Sequence, residues 1–342
     1  MSGVDWTLAA RVAGRLSGSH PLEPTYHFRQ FERRAGDLVA RAAEMASAET
    51  GLDWVGDPKV AVVTRRRWAE TNLRSFGTLL APAEARLKSS GFGHRVTSRL
   101  MGAEVGALVG VLAKRVLGQY ELVLPSEDGG DGDTVMFVGV NILDMERKNE
   151  FRPDEFRFWV ALHECTHRLQ FTGVPWLKQY FLDLVEGLVE TSVPESGRIQ
   201  RIRDEMRSAA REGRPLIDER GVMGFFATPD QRHLIDRVQA LMSLLEGHGH
   251  VVMDRIGARV LVTQDRMARV LKMRRKDPRM TAFLRLTGLE MKMKQYEQGE
   301  QFILAVERRA GFGALDTAWS GPDALPTLDE IRDPDRWLTR VG

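Results

Sequence analysis

Residues 154–171 read DEFRFWVALHECTHRLQF, and the centre of that stretch, His163-Glu164-Cys165-Thr166-His167, decides how the chain is to be read. On a helix, residues four apart share a face, so His163 and His167 can present ring nitrogens to one ion. Glu164 projects beside them, where a carboxylate can take a proton from a water molecule. Phe156, Trp159, Val160 and Leu162 precede the motif, and Leu169 and Phe171 follow it. Apolar residues on nearly every face predict a buried helix, and Pro153 and Asp154 suit its N-terminus. Two histidines and a glutamate in one buried turn are costly unless something pairs them, and a metal ion would do so. The plainer alternative is a pair of hydrogen-bonded core histidines, with Glu164 salt-bridged to an arginine such as Arg168.

A catalytic zinc site needs a third protein ligand and an open position for water. Two glutamates compete. Glu186 shares a helical stripe with Gln179, Asp183 and Glu190, opposite Phe181, Leu184 and Leu188, which is the pattern of a solvated face. Glu246 lies in ALMSLLEGHGHVVMD, residues 240–254, where Gln239, Ser243, Glu246, His250 and Asp254 form a narrow polar stripe on an otherwise apolar helix. Such a stripe needs a polar partner inside the protein. Gly247 and Gly249 each lower helix propensity by about 1 kcal/mol relative to Ala, which close approach of another helix or of a metal would offset. Glu246 is therefore preferred to Glu186. His250, one turn after Glu246, is a partner that orients it or an alternative ligand; His248 is off that face. A polar core network without metal is the competing reading of the segment.

Outward from these segments the pattern is mostly helical. Helices are expected over about 4–16, 27–47, 66–87 (kinked near Pro82), 154–172, 176–192, 198–211, 229–253, 263–275 and 281–310. The apolar run Met101–Leu117 carries Gly102, Gly106 and Gly110, and reads as a buried helix whose glycines permit close packing. A short strand is expected over Tyr120–Leu124, an exposed turn over 127–133 (EDGGDGD), and the best strand over Thr134–Val140 (TVMFVGV). That last strand is either an edge that aligns an extended peptide or a plain core strand. The tail from Trp319 onward, with Pro322, Pro326 and Pro334, reads as irregular. The fold class is mainly α with a small β-sheet. An N-terminal helical region over 1–125 and a catalytic region over 126–342 are expected, either separate or as one continuous domain.

Composition narrows the function classes. The 342 residues are 43% hydrophobic and 28% charged, the balance of a chain that buries a real core. A formal net charge of +2 does not call for nucleic acid as partner. The single cysteine, Cys165, rules out an intramolecular disulfide and fits a cytoplasmic location. Glu104, Lys114 and Arg115 interrupt the most apolar run, so no membrane partner is expected. The N-terminus lacks the unbroken apolar core of a signal peptide.

Beyond the short motif, HECTHRLQFTGVPWL, ALMSLLEGHGHVVMD, MKMKQYEQGEQFILAV, LPTLDEIRDPDRWL and the opening VDWTLAARVAGRL together resemble the bacterial zincin-like metallopeptidase family. Its members are often labelled as associated with deazaflavin-coenzyme biosynthesis. The resemblance implies a zincin-like architecture with the metal site between packed helices. It implies Zn2+ as cofactor, with His163, His167 and Glu246 as the metal set. No glycine-rich dinucleotide fingerprint follows a strand, so nothing in the residues supports a deazaflavin site. The expected function is hydrolysis of a peptide or amide bond by metal-activated water, with Glu164 as general base. Tyr296 is a candidate oxyanion stabiliser, with an ordinary packed tyrosine as the alternative. A non-catalytic zinc-binding scaffold or partner-docking protein is the second function class, and the intact Glu164 argues against it.

Overall fold

The computed structural model describes residues 3–86, 92–123, 132–191, 229–275 and 290–342. Twelve helices of the α type are described: α1 (Trp6–Ser17), α2 (Tyr26–Thr50), α3 (Arg65–Arg86), α4 (Phe92–Leu112), α5 (Gly139–Asn149), α6 (Pro153–Gly173), α7 (Leu177–Thr191), α8 (Pro229–Val260), α9 (Gln264–Arg275), α10 (Glu290–Ala310), α11 (Leu328–Arg332) and α12 (Pro334–Val341). Three short strands, β1 (Lys59–Val63), β2 (Gly118–Glu121) and β3 (Thr134–Val138), form one sheet. The fold is thus mainly α with a small β-sheet, as the periodicity requires. The expected helix over 198–211 and part of that over 281–310 lie outside the described residues.

The chain groups into two compact units, Met1–Lys178 with Gly249–Lys272, and Gln179–His248 with Met273–Gly342. The division falls inside the continuous helix α8, between His248 and Gly249.

In the first unit the sheet order is β1-β3-β2, with β1 parallel and β2 antiparallel to β3. β3 is therefore the central strand, and the expectation that 134–140 could be a peptide-aligning edge is corrected. Val135, Met136, Phe137 and Val138 are all buried, and a strand hydrogen-bonded on both sides has no edge to offer. The strand also stops at Val138, and α5 begins at once with Gly139. A Cβ at Gly139 would lie 2.5 Å from Val62 Cγ1 and 2.6 Å from Phe28 Cε2, so only glycine fits this tight turn from strand to helix.

The glycine-rich apolar run is a packing helix. Cβ atoms built at Gly102 and Gly106 of α4 would stand 2.4 Å from the carbonyl oxygens of Asp5 and Ala9, so α1 lies directly on the backbone of α4. Helix α2 packs along α6, and an ion pair buried beside them joins Glu146 of α5 to Arg157 of α6, at 2.7 Å and 2.8 Å. Among the described residues no helix is long and apolar enough to cross a membrane. The tail, expected as irregular, holds α11 and α12. Thr327 and Glu330 form a reciprocal capping box at the start of α11, and Trp337 of α12 is fully buried.

Candidate metal centre

Helix α6 starts on Pro153, whose missing N–H costs nothing at a helix start, and carries Asp154 and Glu155 in its first turn, where negative charge meets the positive helix end. Glu155 accepts hydrogen bonds from the backbone N–H and the hydroxyl of Thr263, at 2.8 Å and 2.6 Å. Further along, a Cβ at Gly257 of α8 would touch the Trp159 ring at 3.3 Å. The C-terminal part of α8 is thereby held against α6 within the first unit.

That contact brings α8 to the histidines. His163 and His167 lie one helical turn apart with ring centroids 4.5 Å apart and planes at 77°, and their Nε2 atoms are 3.1 Å from each other. Two nitrogens bound tetrahedrally to one zinc at the usual bond length stand about 3.3 Å apart, so this spacing suits two ligands of one ion. The Nδ1–H of His167 donates to Gln170 Oε1 at 2.9 Å, a contact that leaves the Nε2 lone pair for the ion. A Cβ at Gly249 would lie 3.2 Å from His163 Nδ1 and 3.3 Å from His167 Cε1, so this glycine lets both imidazoles approach the α8 backbone. The His250 ring lies 4.9 Å from that of His163, tilted by 35°.

Glu246 stands one turn before Gly249 and His250 on the same helix. Among the described residues, one group of His, Cys, Asp or Glu side chains could hold a metal ion: His163, His167 and Glu246, with one ligand atom from each lying within 4.8 Å of the others. Gln239, Ser243, Glu246 and His250 are all buried, so the polar stripe on α8 does face the interior. Glu186 is exposed on α7 and does not belong to the group. His248 points elsewhere, stacked on Phe312 at 6.0 Å and edge-on to Trp319 at 5.2 Å. The side chain of Tyr296 lies outside the described residues.

Glu164 is only 5% exposed. Its carboxylate rests on the first residue of β2: a Cβ at Gly118 would meet Glu164 Oε1 at 2.6 Å. The other two residues of the motif serve packing. Cys165 is fully buried with its Sγ 3.7 Å from the Val39 carbonyl oxygen, and burial pushes its thiol pKa well up. Thr166 donates its hydroxyl to the Leu162 carbonyl oxygen at 2.8 Å. Arg168 is not the partner of Glu164 that the alternative reading supposed. Its guanidinium binds Asp133 through two hydrogen bonds of 2.7 Å and 2.6 Å, donates to the Val55 carbonyl oxygen at 2.6 Å, and lies 4.0 Å above the Trp54 ring.

Residues 4–338 match the zincin-like metallopeptidase family. The chain belongs to that family. A solved relative is a Chloroflexus aurantiacus protein, whose crystal structure is described as that of a candidate hydrolase with a novel fold. The two chains are 32% identical, the match covers 98% of each, and the TM-score is 0.72. No protein with a curated description matches this one. Membership of the zincin-like family implies a divalent metal, and the donor set fits one: two imidazole nitrogens and a carboxylate oxygen, the His2Glu combination of catalytic metal sites.

Two residues of this family member escaped the sequence reading. Gln170 follows His167 by three positions, on the same helical face, a signal that was available. Gly118 had no readable signal, because its importance depends on which helix packs over the strand.

Proposed function

We propose that the chain is a zinc-dependent peptidase or amidase in which His163, His167 and Glu246 hold the metal and Glu164 is the general base. One observation carries the reading: the ligand atoms of two helical histidines and a buried glutamate lie within 4.8 Å of one another, next in sequence to a glutamate that is not among them. Zinc bound by that set supplies Lewis acidity toward a carbonyl oxygen and toward water.

The chain's own residues do the rest. Gln170 fixes the tautomer of His167 through Nδ1. Glu164, held almost out of solvent, takes the proton of the attacking water on a carboxylate oxygen and passes it to the leaving nitrogen. The substrate lies along β2. The Val138 N–H donates to the Leu117 carbonyl oxygen at 2.8 Å, which sets the antiparallel phase. Gln119 and Glu121 then exchange bonds with β3, whereas the N–H and C=O of Gly118 and Tyr120 face away from it. An extended peptide added at that edge pairs with Gly118, the residue on which Glu164 rests.

The test is Glu164→Gln, read on a peptide-library digest and by zinc analysis. Zinc content and fold should persist while hydrolysis falls by about two to four orders of magnitude. Hydrolysis by the native protein that survives the substitution unchanged would remove the base. A native protein that binds zinc and cleaves nothing would favour the scaffold reading.

A further inference from the structure

The geometry points to Gly118 as the residue that positions Glu164, a role that rests on Glu164 being the base. A Cβ at position 118 would stand 2.6 Å from Glu164 Oε1, 2.7 Å from Cγ and 2.8 Å from Cδ. All three contacts fall on one side chain. None is with backbone. A glycine inside a strand commonly marks such a close approach.

The strand is the fixed partner of the two. Just before Gly118, the Asn141 amide donates to the Ala113 and Val116 carbonyl oxygens at 2.8 Å and 2.6 Å. Just after it, Asn72 of α3 donates to the Gln119 side chain at 3.0 Å, and Ser75 donates to Glu121 at 3.0 Å. β2 is thus tied to the fold on both sides of Gly118, and Glu164 must move when a methyl group appears there. The bare peptide plane of Gly118 is the floor on which the carboxylate lies. It holds the carboxylate over the face of β2 at Gly118 and keeps the side chain out of the rotamers that a wider space would allow. Gly118→Ala should therefore produce a protein that folds and binds zinc but carries a misplaced base.

The test is a cycle of Gly118→Ala, Glu164→Ala and the double variant, with two readouts. In the metal-free proteins, Gly118→Ala should lower the urea midpoint when Glu164 is present and leave it unchanged in the Glu164→Ala background, where the methyl group has room. In the zinc-loaded proteins, Gly118→Ala should keep stoichiometric zinc but weaken binding of acetohydroxamate as Glu164→Gln does. The loss should be about tenfold to a hundredfold, the effect of one charge-assisted hydrogen bond. Glu164→Asp added to Gly118→Ala, which shortens the arm by one carbon, should restore part of it. A midpoint lowered equally in both backgrounds overturns the proposal. So does acetohydroxamate affinity reduced by Glu164→Gln but untouched by Gly118→Ala. If Glu164→Gln itself leaves the affinity unchanged, the base assignment fails, while the metal-free cycle still decides whether Gly118 and Glu164 are coupled.

Discussion

Arg168 follows the second histidine directly, and its side chain is fully buried. It closes the loop before β1 onto the residue that precedes β3, through the carbonyl oxygens of Val55 and Gly56 and the carboxylate of Asp133. Removing either member of the Arg168–Asp133 pair leaves a charge without its partner, and breaking a buried pair costs about 3–5 kcal/mol. The two members are not equivalent. The Asp133 side chain is 28% exposed and can turn to water once Arg168 is gone, whereas the guanidinium has no such route. Asp133→Ala should therefore sit at the upper end of that range and Arg168→Met nearer the lower end, since Met also keeps part of the packing on Trp54. At about 2–4 °C per kcal/mol for a unit of roughly 200 residues, the melting temperature of Asp133→Ala should fall on the order of 10 °C. Urea and thermal unfolding of the two single variants and the double variant provide the assay. The double variant should cost less than the sum of the singles, because each single strands the other charge. Losses below about 1 kcal/mol for both singles, or strict additivity, would refute the argument that the pair is a buried structural clamp.

Other outcomes follow from the same geometry. Glu246→Ala should weaken zinc binding strongly, because it removes a ligand charge, while the exposed Glu186→Ala should leave zinc affinity and stability nearly unchanged; equilibrium dialysis against a zinc buffer separates the two. Glu49 of α2 sits between Arg255 and Arg259 of α8; burial by itself raises its carboxyl pKa, but the hydrogen bonds from the two arginines outweigh that and hold it below the ordinary 4.5. A depressed acid pKa adds stability above the ordinary value and loses it as pH falls through the folded pKa, so the stability difference between the native protein and Glu49→Gln should be full at pH 7 and shrink as pH drops below 4.5. A difference that stays constant or grows on acidification would contradict that sign.

Much of this arrangement was legible in the sequence because it lies within single helices. The spacing of His163 and His167, the solvated stripe of Glu186 and the buried stripe of Glu246 all follow from a period of 3.6 residues. What stayed hidden depended on pairing between distant segments. β1, KVAVV, is a short valine-rich run after Gly56-Asp57-Pro58 with a strand signal of its own, but its parallel pairing with β3, more than 70 residues away, leaves no local mark. The middle position of β3 in the sheet, and with it the edge position of β2, follows from that same missed partner. The tail was different. Thr327-Leu-Asp-Glu330 is a readable helix start, and Pro334 opens the last helix instead of breaking it, because a proline at the first helical position loses no hydrogen bond.

The central claim is that one zinc ion is held by His163, His167 and Glu246, and metal analysis of the purified protein after loading and extensive dialysis tests it most directly. The native chain should retain one zinc per chain, and His163→Ala and His167→Ala should each retain almost none while still unfolding cooperatively. Stoichiometric zinc in both histidine variants, or none in the native protein after loading, would contradict the account.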